Sequence, residues 1–329
     1  MNLIKSIEKY FFSIFGIFYK KLKNSYFKTN IYNKKISKNI PLRYVYKPSP
    51  HIINCLISFN KKKIKIDNFY LNSIWNIDSS NKIEFDNLHN FFWLNSLDVK
   101  TSKIATQNII ENWIVNNFFN ENTWKLETLS KRLIAWISNT NLTLSNSNPD
   151  YKKKFILSVT RQGNHLYKNI NNEKNDRSKI IGCAALIQLG LVFEENKKFY
   201  YFGLDLIKKI FKINFNNENF PYSRNIEELN EYFKYFIIIR EWIKESQNPI
   251  PDFLDIIIYN LGSSFHFINE NTDKLPLFNG SSELQNSNFK KYLTLLGYSF
   301  KFNSNNKSGY LIFKNKKIFF IMDIGNSAD

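Results

Sequence analysis

The sequence predicts a mainly α-helical fold. It is an irregular helical toroid behind an extended N-terminal cap, with strands beginning near the C-terminal end. Three observations predict it. Between Phe85 and Asn269, apolar residues recur at offsets of three and four over about eight successive segments. Asn- and Asp-rich breaks of hairpin length separate these segments, with no strict repeat period. Beyond Lys290 the helical period gives way to short extended runs, the last of them Lys317–Ile324.

Composition bounds the function. At 329 residues the chain is long enough for one large domain or two, and its 43% hydrophobic and 17% aromatic content supplies a core. The net charge is +18. Such a balance suits nucleic acid, an anionic membrane surface or an anionic substrate. Lys far outnumbers Arg, and the excess of Asn, Lys, Ile, Phe and Tyr matches AT-biased coding, so much of the charge reads as solvated lysine. No zinc-finger, RRM or helix-turn-helix pattern appears, which disfavours nucleic acid. Cys55 and Cys183 lie far apart in apolar surroundings, read as buried small hydrophobes, and offer no disulfide framework or metal spacing.

Taken in order, residues 1–38 read as an N-terminal amphipathic helix and a basic linker. Tyr10–Tyr19 is too short to span a bilayer, is hemmed in by lysines, and has no small-residue cleavage site. An interfacial helix with weak membrane-surface contact through residues 1–23 is the expectation. The compartment stays open between cytoplasm and cell envelope. Residues 39–84 read as an extended cap. Asn39–Pro50 is punctuated by proline, and Ile52–Phe59 and Lys63–Ile66 read as strands around an Asn60-Lys61-Lys62 turn. Residues 85–289 hold helices expected at Asn87–Leu97, Thr101–Phe119, Thr128–Leu142, Asp150–Ile170, Lys179–Phe193, Phe199–Asn214, Ile226–Ser246 and Pro251–Asn269. Residues 290–329 read as extended at Lys290–Tyr298, Lys301–Phe302, Ser308–Lys314 and Lys317–Ile324. A strand cluster at a chain end needs a partner layer, so the expectation is a larger β domain cut short.

Arg161–Phe193 stands apart within the helical array. It holds Gln162-Gly163-Asn164-His165 in a chain with four histidines. It reads as one polar and one apolar helical face, interrupted at Asn171–Ser178. An Asn amide can donate hydrogen bonds to a carboxylate, and an imidazole can move protons. The same residues also read structurally, His165 as a helix-end or packed residue and Asn164 as one asparagine among many. Ser223-Arg224-Asn225 precedes a helix. Arg224 suits bidentate capture of a carboxylate or sulfate. Asn225 equally suits the N-cap, with Glu227 and Glu228 in the first turn. Arg132 and Trp136 lie one turn apart, and Trp136 reads either as a sugar-stacking ring or as core. His266 reads as packed, and His51 and His89 have no supporting context.

Several segments together resemble one family. They are Phe92-Trp93-Leu94-Asn95-Ser96-Leu97, Ala105-Thr106-Gln107, Asn112-Trp113-Ile114, Arg132 to Asn139, Asn164-His165-Leu166 with Asn169, Ala185-Leu186, Gly190 to Phe193, Ser223-Arg224-Asn225, Leu277-Phe278-Asn279-Gly280 and Ser308-Gly309-Tyr310. In this order, over residues 40 to 325, they resemble the heparinase II/III-like proteins of alphaproteobacteria. The resemblance implies an (α/α) toroid, incomplete here, followed by a β-sandwich of which this chain holds the first strands. It implies eliminative cleavage of uronate-containing acidic polysaccharides, such as glycosaminoglycans, in many members in the periplasm. It places a further catalytic histidine and, in some members, a structural zinc beyond this chain; no cofactor is expected within it. By resemblance Asn164 binds the uronate carboxylate and His165 assists proton transfer; Arg132, Trp136, Arg224 and Asn225 are substrate-binding candidates on their own side-chain chemistry. The best-known lyases carry a Tyr-His pair where this sequence has Glu228 and Leu229, which leaves Tyr222 as the nearest tyrosine for the base. The other expectation on the same scaffold is a non-catalytic protein for anionic glycans or envelope biogenesis.

Overall fold

The structure, a computed structural model, describes residues 18–19, 21–56, 75, 81–97, 102–117, 119–269, 276–282, 287–302, 304–314 and 318–325. Its helices in chain order are α1 (Asn30–Ile36), α2 (Pro50–Leu56), α3 (Lys82–His89), α4 (Lys103–Asn116), α5 (Leu126–Ser138), α6 (Thr140–Thr143), α7 (Pro149–Asn169), α8 (Asp176–Val192), α9 (Lys197–Asn214), α10 (Ile226–Glu245), α11 (Asp252–Asn269) and α12 (Ser287–Leu295). The strands β1 (Asn306–Lys307), β2 (Tyr310–Lys314) and β3 (Phe319–Asp323) follow and form one antiparallel sheet.

The core is built around α8. Every residue from Ile180 to Val192 is buried, so this helix has no polar face, as expected of one enclosed by neighbours. It packs against α5, α7, α9 and α10. Gly190 sets the approach to α9: a Cβ there would lie 2.4 Å from the Tyr200 backbone nitrogen. A second small residue works from the other side, since a Cβ on Gly203 would meet the Cys183 carbonyl at 3.1 Å. Cys183 is buried at this crossing, and burial raises its thiol pKa strongly.

The helix starts follow local chemistry. Asn148 caps α7 ahead of Pro149, Asn175 caps α8 and Asn225 caps α10, each side-chain oxygen accepting from a first-turn amide. Where one helix is expected over Asn87–Leu97, two elements stand. Asn90 Oδ1 accepts from the Phe92 amide at 2.9 Å, Phe91 enters the left-handed region at φ 57°, and a 3₁₀ turn covers Phe92–Ser96. Asn139 similarly divides α5 from α6, its Nδ2 donating to the Ala135 carbonyl and to Asn95 Oδ1.

Two extended expectations are corrected. Pro50–Leu56 is helical, although Ile52–Phe59 reads as a strand; Pro50 presets the first helical φ, and a short apolar run does not distinguish the two states. Ser287–Leu295 is also helical. Its buried residues Phe289, Tyr292 and Leu293 stand at helical spacing, which outweighs their β propensity. Residues 57–66, including the second proposed strand and its turn, lie outside the described residues, as does the segment 1–17. Phe18, Tyr19 and Leu22 are exposed, and no helix among the described residues is long and apolar enough to cross a membrane.

The sheet begins with a two-residue turn at Ser308-Gly309, both with positive φ (51° and 79°), the combination that a tight hairpin needs. Tyr310 pairs with Asp323 and Ile312 with Ile321. Tyr310 and Ile312 point into the core, where the Tyr310 ring meets Phe220 and Phe278.

Because the α8–α9 crossing has no room for a methyl group, Gly190→Ala is expected to lower unfolding stability by about 1–3 kcal/mol. The urea midpoint measures this, and a midpoint equal to that of the unaltered chain contradicts the close approach.

Candidate functional site

The last two turns of α7 bury Gln162, Asn164, His165 and Asn169. Buried polar groups must be hydrogen-bonded, and each of these four finds a partner. On one side, Arg132 Nε donates to Gln162 Oε1 at 2.7 Å. Its Nη1 donates to the carbonyls of His89 (2.8 Å) and Thr123 (3.0 Å), and the guanidinium stacks over Trp113 at 4.1 Å. On the other side, Asn164 Nδ2 donates to the carbonyls of Ile36 (2.8 Å) and Lys38 (3.0 Å). It thereby satisfies acceptors that the end of α1 leaves open.

His165 sits in an aromatic box of Phe27, Phe119 and Trp124, 97% enclosed. Its Nδ1 lies 2.8 Å from the Tyr32 hydroxyl, which also accepts from Asn169 Nδ2 at 3.2 Å. That leaves the phenol proton to donate to Nδ1, which places the imidazole proton on Nε2. Burial, with Lys23 nearby, lowers the His165 pKa to about 3, so the ring is neutral. Burial raises the Tyr32 pKa to about 12 despite the Asn169 hydrogen bond, so the phenol keeps its proton. A neutral imidazole is thus paired with a protonated phenol beside an amide donor. Tyr32 lies in a stretch read from sequence as a basic linker, and nothing in its spacing marks it.

A cleft of about 410 Å³ opens on the surface of this seam, lined by Asn30, Asn33, Lys34, Ser37 and Arg161. Arg161 Nε donates to Ser37 Oγ at 2.8 Å across it.

The second group lies where α10 meets the sheet. Arg224 has φ 52°, and its amide donates to the Pro221 carbonyl. Its Nη2 pairs with Asp323 at 2.9 Å, and its carbonyl accepts from the Tyr310 hydroxyl at 2.6 Å. Asn279 Nδ2 ties the same point together, donating to Tyr310 Oη at 2.6 Å and Asp323 Oδ2 at 2.9 Å. The guanidinium rests on glycine backbone: a Cβ on Gly325 would fall 1.4 Å from Nη1, and one on Gly309 2.6 Å. Asn225 Oδ1 accepts from the Glu228 amide, and its Nδ2 donates to the Asn279 carbonyl. Ser281 Oγ accepts from the amides of Ile226 and Glu227, and Ser223 Oγ donates to Glu228. The capping reading of Asn225 and the two glutamates therefore describes this loop, and Arg224 is an ion-pair partner of the sheet. Tyr222, 61% exposed, stands on the outer side of the loop.

The structure brings Asn164 and His165 together, and separately Arg224 and Asn225. Among the described residues the two groups share no hydrogen-bond partner. Trp136 and Arg132 are placed differently from a sugar-facing pair, for a physical reason. Both have 0% exposure, Trp136 lying among Phe91, Trp113 and Phe155 and Arg132 holding backbone carbonyls. His89 is also fully buried: Trp113 Nε1 donates to its Nδ1 at 3.0 Å, and burial next to Arg132 lowers its pKa to about 3. His266 is half-buried and His51 exposed.

A mainly helical array ending in a small antiparallel sheet is an architecture similar to that of the heparinase toroid proteins. A crystal structure of heparinase III matches with a TM-score of 0.58 at 15% identity, over 74% of this chain and 45% of that one. A second heparinase III matches with a TM-score of 0.57 at 14% identity, over 82% and 53%. A heparan sulfate lyase from Pedobacter heparinus, solved as a mutant, matches with a TM-score of 0.60 at 12% identity, over 86% and 53%. The chain thus spans about half the length of the solved proteins that it matches. No family model and no curated protein matches it.

Two outcomes follow from this geometry. His89 and His165 have folded pKa values of about 3, below the ordinary 6.5, so the unfolded chain binds more protons between these values. Their neutral burial is fully compatible with folding above about pH 6.5, and stability is lost as the pH falls toward 3. From pH 7 to pH 5 the unfolding free energy is expected to drop by about 2 kcal/mol per histidine, and His165→Gln to remove its share of that slope. Urea titrations at each pH measure it, and a flat profile contradicts it. Asp323→Asn removes the anion facing Arg224 and is expected to destabilise by about 1–3 kcal/mol. It should also speed amide hydrogen exchange in Tyr310–Lys314, and exchange unchanged there contradicts the tie.

Proposed function

We propose that this chain carries the toroid part of a heparinase III-type polysaccharide lyase acting on uronate-containing acidic glycans. The fold likeness supports the class. The observation that carries the chemistry is the Asn164–His165–Tyr32 arrangement on α7. Eliminative cleavage needs a donor to neutralise the uronate carboxylate, which acidifies the proton on the adjacent carbon. A base takes that proton, its bonding electrons form the carbon–carbon double bond, and the glycosidic carbon–oxygen bond breaks. An acid then protonates the departing oxygen. In this reading Asn164 supplies the amide donor, and the neutral His165 with its Tyr32 hydroxyl supplies the proton relay. Arg224 and Asn225 lie on the glycan path near the sheet, and the exposed Tyr222 beside them is the tyrosine available as the base. Substrate reaches Asn164 only when α1 yields the carbonyls of Ile36 and Lys38.

That last requirement favours a second reading, an anionic-glycan-binding protein without cleavage. The Asn164 amide donates to the end of α1 and to the residue just past its C-cap, and Arg224 is engaged by Asp323.

Incubation with several uronate polymers separates the two. The lyase reading expects ultraviolet absorbance from the unsaturated product, and a loss of about 100-fold or more in rate with Asn164→Ala or His165→Ala in variants that keep their helical circular dichroism. Glycan binding with no absorbance from any polymer, unaffected by either substitution, would establish the second reading and overturn the first.

A further inference from the structure

The cleft between α1 and α7 has a composition that the lyase chemistry does not use. On α1, Asn30, Asn33, Lys34 and Ser37 fall at offsets of three and four and form one stripe. The opposite positions, Tyr32 and Ile36, are buried against the core. Arg161 of α7 faces the stripe, its Nε held by Ser37 Oγ. Among the described residues the lining comprises two side-chain amides, a hydroxyl, an ammonium and a guanidinium, with no carboxylate among the five. Its volume, about 410 Å³, suits one charged sugar unit. More cations lie on or beside the same two helices. Lys168 feels Lys35, Lys198 and Lys38, which add to partial burial in lowering its pKa. Among the described residues, Lys34, Lys35, Lys38 and Lys168 have no ion-pair partner. Like charges gathered at these four lysines repel one another, and a bound anion relieves that repulsion. The wall is also fixed in place, because Asn164 grips the carbonyls of Ile36 and Lys38 on its inner side.

We propose that this cleft is an oxyanion subsite, in which Lys34 and Arg161, with the amides of Asn30 and Asn33, hold a sulfate or carboxylate group of an acidic glycan. The choice of glycan as carrier rests on the function proposed above; the oxyanion chemistry of the cleft does not. Binding there lies outside the buried Asn164–His165 pair and retains the chain independently of cleavage.

The full chain is titrated with inorganic sulfate and, separately, with sulfated and desulfated uronate oligosaccharides by calorimetry. Lys34→Glu is expected to weaken sulfated oligosaccharide binding by about tenfold or more. Arg161→Lys, at unchanged net charge, is expected to weaken it by a smaller factor because the planar fork is lost. Lys152→Glu, the same charge change at an exposed position on the first turn of α7, should leave binding within about twofold. Inorganic sulfate should compete with the oligosaccharide for the unaltered chain and lose that ability in Lys34→Glu. Equal weakening by Lys152→Glu and Lys34→Glu would mean that net charge alone drives binding, and would overturn the subsite. So would oligosaccharide binding insensitive to Lys34→Glu, or a chain that binds neither probe. Product absorbance is read in the same samples: cleavage absent with the Lys34 effect intact fails the lyase reading alone, and cleavage present without that effect fails the subsite alone.

Discussion

The structure turns on one constraint, that the last two turns of α7 bury Gln162, Asn164, His165 and Asn169 and every one must be hydrogen-bonded away from water. An unpaired buried amide or imidazole costs about 1–3 kcal/mol, comparable to a large fraction of a domain's net stability. The partners found are far apart in the chain. Gln162 takes Arg132 from α5, Asn164 takes the exit of α1, and His165 with Asn169 takes Tyr32. Satisfying one helix thus fixes the N-terminal segment against the helical array. It also settles the protonation state of His165, since the box that hides the ring from water is the box that keeps it neutral.

The same logic, in reverse order, organises the sheet. There the group to be satisfied is a partly buried charge, and its counter-charge comes from β3. Asp323 meets Arg224 Nη2, while Asn279 donates to the Asp323 carboxylate and to the Tyr310 hydroxyl, which in turn donates to the Arg224 carbonyl. Gly309 and Gly325 are the residues that let backbone lie against the guanidinium. Arg224 therefore links helix to sheet, and any anion that it is to bind must compete with Asp323.

Much of the helical array was legible in the sequence because apolar period and asparagine caps agree, as at Asn148-Pro149, Asn175 and Asn225. The two missed helices show the limit of that agreement. Around Ile52 and Tyr292, β-branched and aromatic residues carry strand propensity, while packing and a helix-start proline decide for helix. Asn164 and His165 were legible as an unusual pair, but their surroundings were not. Tyr32 lies 133 positions from His165, and no local pattern connects a tyrosine in a lysine-rich segment to a buried imidazole. Trp136 and Arg132 were misplaced for a related reason: a Trp beside an Arg at one helical turn reads alike in a sugar cleft and in a core that stacks Arg on Trp113.

The account stands on α1 being held to α7 through the Tyr32–His165 hydrogen bond, since that contact decides whether the pair is covered or open. A double-mutant cycle of Tyr32→Phe and His165→Phe, read by urea unfolding of the full chain, tests it most directly. The account predicts a coupling energy of about 1–3 kcal/mol between the two positions. Additive effects, with no coupling, would contradict it.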